Sequence, residues 1–491
     1  MLCKRAADGS GPWEISDKAI SGSIMPAHKS EAIRHSDTAF LGHPRGLGWL
    51  SFSEFWERFS YYGMQTLLVL YMTHQLLQPG HVENVVGFGP FRAAIEAVYG
   101  TLSPQALASA VYGLYAGLVY LTPIAGGVLA DRFIGRTRAV TIGAVLMAAG
   151  HFLMAFEGSF LLALLCLLLG VGCFKGNIAG QVGDLYAPED PRRADAFQIY
   201  LFGIQLAVII SPIICGTLGE SADFGWHWGF GVAGIGMVIG LIVYRSGLAW
   251  LPPEPPLKRR SAAAPRPQLD RGQLRTILVL VALIPILALS SVGNQEIFNA
   301  YLVWGEANFQ LQFFGATMPI TWIISLDAFI SAGTIALSVL FWRWWATRRT
   351  EPDEITKLTI GVAIAALAPL TLAIAATVIA GTGQKVGIGW AFAFQAINDI
   401  GFANIFPVGL ALFSRAAPKS LEGMMIGVYY IHLFIGNMLV GWLGGLLEKM
   451  PGPAFWLLHA GLIGIAALLL LLFRSAAGKA LAPAAEPAPA A

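Results

Sequence analysis

Residues 51–72 read SFSEFWERFSYYGMQTLLVLYM. At 1.5 Å rise per residue, a helix of about 20 residues crosses the hydrocarbon of a bilayer. The stretch is long enough, and its second half is apolar. Its first half nevertheless carries Glu54, Glu57 and Arg58. Glu54 and Glu57 are three apart and Glu54 and Arg58 four apart, so on a helix they share one face, which Tyr61 and Tyr62 extend. An ionised side chain at mid-bilayer costs about 3 kcal/mol or more. Lipid does not tolerate such a face. It lines a water-filled cavity or pairs with a neighbouring helix.

The rest of the chain fits that reading. Charged residues make up 12% of the 491 and apolar ones 56%. A soluble chain carries about 25% charged residues, so the polar surface is too small to cover a soluble particle. Apolar stretches of span length recur about twelve times between 48 and 474, the seventh over 274–303. Residues 1–47 read as a polar cytoplasmic arm with no apolar signal-peptide core. Residues 475–491 are Ala/Pro-rich and read as a disordered tail. With both termini in the cytoplasm, only Arg92, Lys385 and Lys449 fall outside. Arg58 and Lys175 fall within spans, and 26 of the 31 Lys and Arg are cytoplasmic. That asymmetry is the positive-inside pattern of a multi-pass cell-membrane protein.

The spans divide six and six, 48–250 and 274–474, around the Pro-rich, basic linker 251–273. The expected fold is all-α, two six-helix bundles in the layout of the major facilitator superfamily, with substrate bound between the halves. The loop 78–104 contains FRAAIEAVYG, which reads as a short interfacial helix. The net charge of +2, with no basic run interleaved with aromatics, gives no sign of a nucleic-acid partner. Cys3, Cys166, Cys173 and Cys215 lack CxxC or His-rich spacing, so neither a disulfide nor a metal site is expected. No cofactor motif is evident, and neither HExxH nor GxSxG occurs, which argues against a membrane enzyme.

Few other charges fall in spans. Lys175, within GVGCFKGNIAG, is the second buried cation and balances the two acids of the first span. Opposing charges and desolvation act in opposite directions on such carboxylates, so small rearrangements can load or release a proton. That balanced, two-half arrangement favours a carrier over a channel. Glu296, Asp327 and Asp399 lie in the second half with no cation in their own spans. His432 reads as a core histidine. Trp304, Trp342, Trp344 and Trp345 read as an interfacial belt.

The run from Glu54 to Gly63 matches the ExxERFxYYG signature of the proton-dependent oligopeptide transporter family. GGVLADRFIGRTR, FKGN, DPRRADAFQIYLFGIQ, GWHWGFGVAGIGM and FPVGLALFSRAAPKSLEGMMIGVYY resemble further family segments, so the likeness spans nearly all the chain. The resemblance implies a symporter that brings in di- and tripeptides with protons by alternating access. It implies proton-coupling roles for Glu54, Glu57, Arg58 and Lys175, and peptide contacts from Tyr61, Tyr62 and Tyr120. Some substrate-side positions depart from the family pattern. Gln65 stands for Arg, Gln205 for Asn, Asp327 for Asn and Tyr429 for Trp. The tenth-span Gly-Glu is Gly401-Phe402, with Asp399 one turn earlier. Gln65, Lys175, Gln205, Glu296, Asp399 and Tyr429 complete the expected substrate set. These departures leave open another small substrate: a modified peptide, an amino-acid conjugate or an organic ion. The expected setting is a bacterial inner membrane, whose lipid would be the remaining partner.

Overall fold

The computed structural model describes residues 37–187, 189–254 and 269–481. Most of the arm 1–47, most of the linker 251–273 and the tail beyond 481 lie outside the described residues.

The first span is helix α1, Arg45–Tyr71. Its start is fixed by Asp37, whose carboxylate accepts from the backbone N–H of Ala39 and of Arg45, each at 3.0 Å. The loop after it carries α2, Phe88–Tyr99, the short helix expected there. Five helices complete the first half: α3, Pro104–Leu129; α4, Arg136–Leu153; α5, Phe160–Asp184; α6, Arg192–Gly219; and α7, Trp226–Gly247. Helix α3 opens with Ser103 accepting from Ala106 N–H and Pro104 at the first position, where a missing N–H costs nothing.

The seventh span is not the single helix expected over 274–303. Helix α8, Arg271–Ser290, gives way to the single turn α9, Val292–Gln295, then a 3-10 turn Glu296–Phe298 and α10, Ala300–Asn308. Asn299 leaves helical geometry altogether, at φ −123° and ψ −115°. Ser290 and Ser291 turn their hydroxyls back onto the carbonyls of Leu287 and Ala288, each at 2.8 Å. Such back-bonding bends helices. The Asn299 amide donates to Val440 O at 3.2 Å, which ties the break to a neighbouring helix.

A small hairpin, β1 Gln312–Phe313 and β2 Ala316–Thr317, precedes α11, Trp322–Ala346. The ninth span is split into α12, Glu354–Ala365, and α13, Ala368–Thr382, with Pro369 at the start of the second piece. Then follow α14, Gly389–Ala416, α15, Glu422–Gly444, and α16, Gly452–Leu481. The last helix runs into the stretch read as a disordered tail, because SAAGKAL keeps the Ala-rich composition that favours helix.

Ten of the described helices are long and apolar enough to cross a membrane. With the charge-bearing α1, and with α4, which begins with Arg136 and Arg138, the bundle has the twelve-span plan. Helices α1 and α3–α7 pack among themselves, and so do α8–α16. Two seams join the sets, α3 against α15 and α6 against α11. The α3–α15 seam depends on glycine: a Cβ at Gly113 would stand 2.4 Å from Asn437 O and 2.7 Å from Gly441 Cα. Hydrogen bonds between the sets gather at the end where α3 begins. There Gln105 donates to Gly444 O at 3.1 Å, and Glu220 accepts from the backbone of Ile320 and Thr321 at 2.8 and 3.0 Å. His74 meets Glu306 at 2.6 Å at the same end.

Trp304 corrects the belt reading. It is 5% exposed and packs edge-on against Phe309 and Trp456, centroids 5.3 and 5.5 Å away. The break in the seventh span carries α10 back into the core.

Candidate functional site

Helical spacing places Glu54, Glu57 and Arg58 on the inner face of α1, and all three are at most 3% exposed. Arg58 Nε lies 3.1 Å from Glu54 Oε1 and is also ion-paired with Glu57. The guanidinium carbon stands 5.3 Å from the Tyr61 ring centroid. One cation thus serves two acids. Glu54 Oε2 and Glu57 Oε1 have no hydrogen-bond partner, so the cluster is under-compensated. Tyr200 of α6 stands beside Glu54, a neighbour the sequence did not single out.

Lys175 does not complete an ion pair in this conformation. Among the described residues it makes no salt bridge. Its ammonium lies 5.4 Å from the Tyr120 ring centroid, near enough to feel Glu54, Glu57 and Arg58 through space. Of the glycines around it, Gly172 is pressed against Thr122, whereas a Cβ at Gly176 would meet only Pro123 O, at an ordinary 3.9 Å. Lys175 itself is partly exposed.

Aromatic contacts around Lys175 and Tyr62 join the two halves. Tyr120 stacks on Tyr430 of α15 at 6.3 Å, and Tyr62 faces Phe298, in the broken seventh span, at 6.1 Å. Tyr62, Lys175, Tyr120 and Tyr430 are all partly exposed. Gln65 is buried and donates to Tyr112 OH at 2.8 Å. Gln205 is half-buried on α6. Tyr429, expected as a substrate contact, is fully buried and donates to Phe406 O at 2.8 Å. One residue of helical rotation makes Tyr430 the partly exposed member of the pair, stacked on Tyr120. The YY pair was visible in the sequence, but which of the two faces inward was not.

Glu296 and Asp399 are each 1% exposed, and Asp327 is 9% exposed. Asp327 and Asp399, on the packed helices α11 and α14, interact through space with each other and with Tyr301. Glu296 has a neighbour the sequence reading missed: His459 Nε2 of α16 lies 3.8 Å from its Oε2. The available signal was a single histidine within the apolar run of the last span. His432 is a core histidine as expected, with Nδ1 2.5 Å from Tyr429 O. The described cysteines, Cys166, Cys173 and Cys215, are free.

Known proteins share this architecture. The profile of the PTR2, or POT, family matches residues 137–264. The peptide transporter YePEPT of Yersinia enterocolitica is 29% identical, aligned over 88% of this chain and 94% of that protein. A di-/tripeptide transporter of Lactococcus lactis subsp. lactis is 27% identical, over 90% of this chain and 97% of its own. The crystal structure of a peptide transporter POT in complex with sulfate superposes with a TM-score of 0.79 at 23% identity, over 93% of this chain and 99% of that one. The superposition shows the fold. The profile and the two relatives make the chain similar to POT family transporters, which are membrane transporters rather than enzymes.

Proposed function

We propose that this chain is a proton-coupled symporter of the POT family that imports di- and tripeptides by alternating access. The two bundles, 48–250 and 274–474, rock against each other about the substrate site between them, and the linker 251–273 and both termini face the cytoplasm. The observation that carries the reading is the under-compensated cluster on α1. Arg58 serves two buried acids, and Lys175, without an ion pair among the described residues, lies beside tyrosines that join both halves. Protonating one carboxylate would balance the cluster, and Lys175 would then be free for a substrate carboxylate. The peptide-transporter names of the relatives support the substrate class.

The test is uptake of a labelled dipeptide into proteoliposomes with an imposed pH gradient, acid outside, and a panel of unlabelled competitors. Concentrative uptake is expected, with short peptides competing best. Accumulation indifferent to the gradient would sink proton coupling. Competition only by modified peptides, conjugates or organic ions would move the substrate to that class.

A peptide is a zwitterion, so an acid of the second half should meet its amino end. Glu296 is the first choice and Asp399 the second. A desolvated charge without its partner costs about 1–3 kcal/mol. Free dipeptides should therefore raise the melting temperature of the purified protein more than N-acetylated ones, and Glu296→Gln should erase the difference. Equal stabilisation of the native chain by both forms would overturn the zwitterion reading.

A further inference from the structure

A cleft opens between α11, α12 and α14, beside the loop that joins the first two. Helices α11 and α12 both pack on α14 but scarcely touch each other, so a gap stays between them. Its volume is about 430 Å³. The walls are Leu337 and Phe341 of α11, Ile360 and Ile364 of α12, and Ile400 of α14. All but Ile364 are exposed, Leu337 at 65%. The few polar groups at the base already have partners. Asn404 Oδ1 accepts from Trp342 Nε1 at 2.6 Å and from Ser338 Oγ at 3.2 Å, and Asn404 Nδ2 donates to Ile400 O at 2.9 Å. Thr334 Oγ1 donates to Ser331 O at 3.0 Å. A base whose hydrogen bonds close on themselves favours hydrocarbon over a polar guest.

The rim of the cleft is basic. Residues 343–357 carry Arg343, Arg348, Arg349 and Lys357 against Glu351, Asp353 and Glu354. Every one of those acids is engaged: Glu351 with Lys357, Asp353 with Thr356 N–H and Arg474, and Glu354 with Arg415. Among the described residues, Arg343, Arg348 and Arg349 form no ion pair. The guanidinium carbons of Arg348 and Arg349 stand 4.5 and 5.0 Å from the ring centroids of Trp344 and Trp345. Trp345 itself lines the cleft, so Arg349 stands at its mouth. We propose that the cleft seats one acyl chain of an anionic phospholipid, whose phosphate is held by Arg348 and Arg349. Anionic headgroups attract juxtamembrane Lys and Arg, and basic pockets between helices at the cytoplasmic side bind them. An apolar cleft with an unneutralised basic rim selects an anionic lipid over a zwitterionic one, and over free phosphate. The proposal rests on the orientation above for its leaflet only. Helix α11 starts where Glu220 holds Ile320 and Thr321, the end placed outside, so it finishes at the cytoplasmic side. The lipid fills the gap between α11 and α12 and so braces α11, which forms a seam with α6 of the other half.

The experiment adds phosphatidylglycerol, or phosphatidylcholine with the same acyl chains, to the detergent-purified chain. Native mass spectrometry reads lipid retention, and melting temperature is recorded in parallel. The native chain should retain one phosphatidylglycerol preferentially and melt higher with it. Replacing both rim residues, Arg348→Gln with Arg349→Gln, should weaken that lipid by about 30-fold and leave phosphatidylcholine unchanged. Ile360→Trp fills the cleft and should weaken both lipids. The substituted side chains are exposed, and either variant suffices should the other fail to fold. Equal retention of the two lipids by the native chain, or a preference unchanged in the variants, would overturn the site. Inorganic phosphate that reproduces the stabilisation would overturn it too, because phosphate has no chain to seat. Dimers that Ile360→Trp splits would assign the cleft to a second copy instead. The orientation is read separately, with the native cysteines replaced and Thr350→Cys exposed to an impermeant thiol reagent outside intact cells. Reaction there with the lipid preference intact would keep the site and overturn the orientation.

Discussion

Arg58 is the residue on which the site turns, because among the described residues it is the cation in direct contact with two buried acids. Removing one partner from a buried pair usually costs about 3–5 kcal/mol. Here the surplus acid softens that cost. Glu57→Gln leaves Arg58 paired one-to-one with Glu54, so the variant should fold. It also removes a group proposed to load a proton. Lys175→Ala should fold as well, since Lys175 makes no salt bridge among the described residues. Both variants should lose gradient-driven accumulation while keeping substrate-for-substrate exchange, which needs no net proton cycle. Retained accumulation in both would make the cluster structural. The face that holds these charges was legible from spacing alone, because mid-span charges have few tolerable surroundings. Lys175 over Tyr120 was not legible, because helix-to-helix distances leave no local trace in the sequence.

At the level of elements, caps and breaks follow different rules. Helix α12 begins at Asp353, whose carboxylate accepts from Thr356 N–H at 2.7 Å and from its hydroxyl at 2.8 Å. Partial burial is the largest single influence and works against the charge, but the Thr356 N–H and hydroxyl together with the Arg474 guanidinium outweigh it and hold the carboxyl below its usual range. A depressed folded-state value gives stability that is present above the ordinary Asp range and is lost as pH falls through the folded value. Asp353→Ala should therefore cost about 0.5–1 kcal/mol near neutral pH, the low end for a cap because the side chain is half exposed. The deficit should shrink below about pH 4. Melting curves of both proteins at the two pH values check it, and a deficit independent of pH would assign the loss to something other than the charged cap. The break in the seventh span had a weaker signature. Ser290, Ser291 and Asn299 are tolerable in a membrane helix, and only their bonds to Leu287, Ala288 and Val440 show that they end one. That is why 274–303 read as continuous, and why Trp304 was assigned to a surface it does not reach.

For the whole molecule, function depends on which end of the seams is closed. The hydrogen bonds of Gln105 and Glu220 across the halves lie at the end that the basic-residue asymmetry puts outside. With the proposed orientation the structure is closed outward, and alternating access would require α3 and α15 to part there. Gly113 measures that closure. A Cβ at this position meets backbone atoms of Asn437 and Gly441 at 2.4 and 2.7 Å, and backbone cannot swing aside as a side chain can. The clash exists only while the seam is shut, so Gly113→Ala penalises the outward-closed state and leaves the outward-open one unstrained. Overpacking of this kind costs about 1–3 kcal/mol, enough to shift a two-state equilibrium by about 5- to 150-fold. With the native cysteines replaced, a cysteine at Gln105 in the seam should react with an impermeant thiol reagent from outside intact cells. Gly113→Ala should speed that reaction by a factor in the same range while slowing net uptake. The rate rises only if the seam is an opening gate and its end faces outward. An unchanged rate would mean that α3 and α15 stay joined through the cycle, and that the halves part elsewhere.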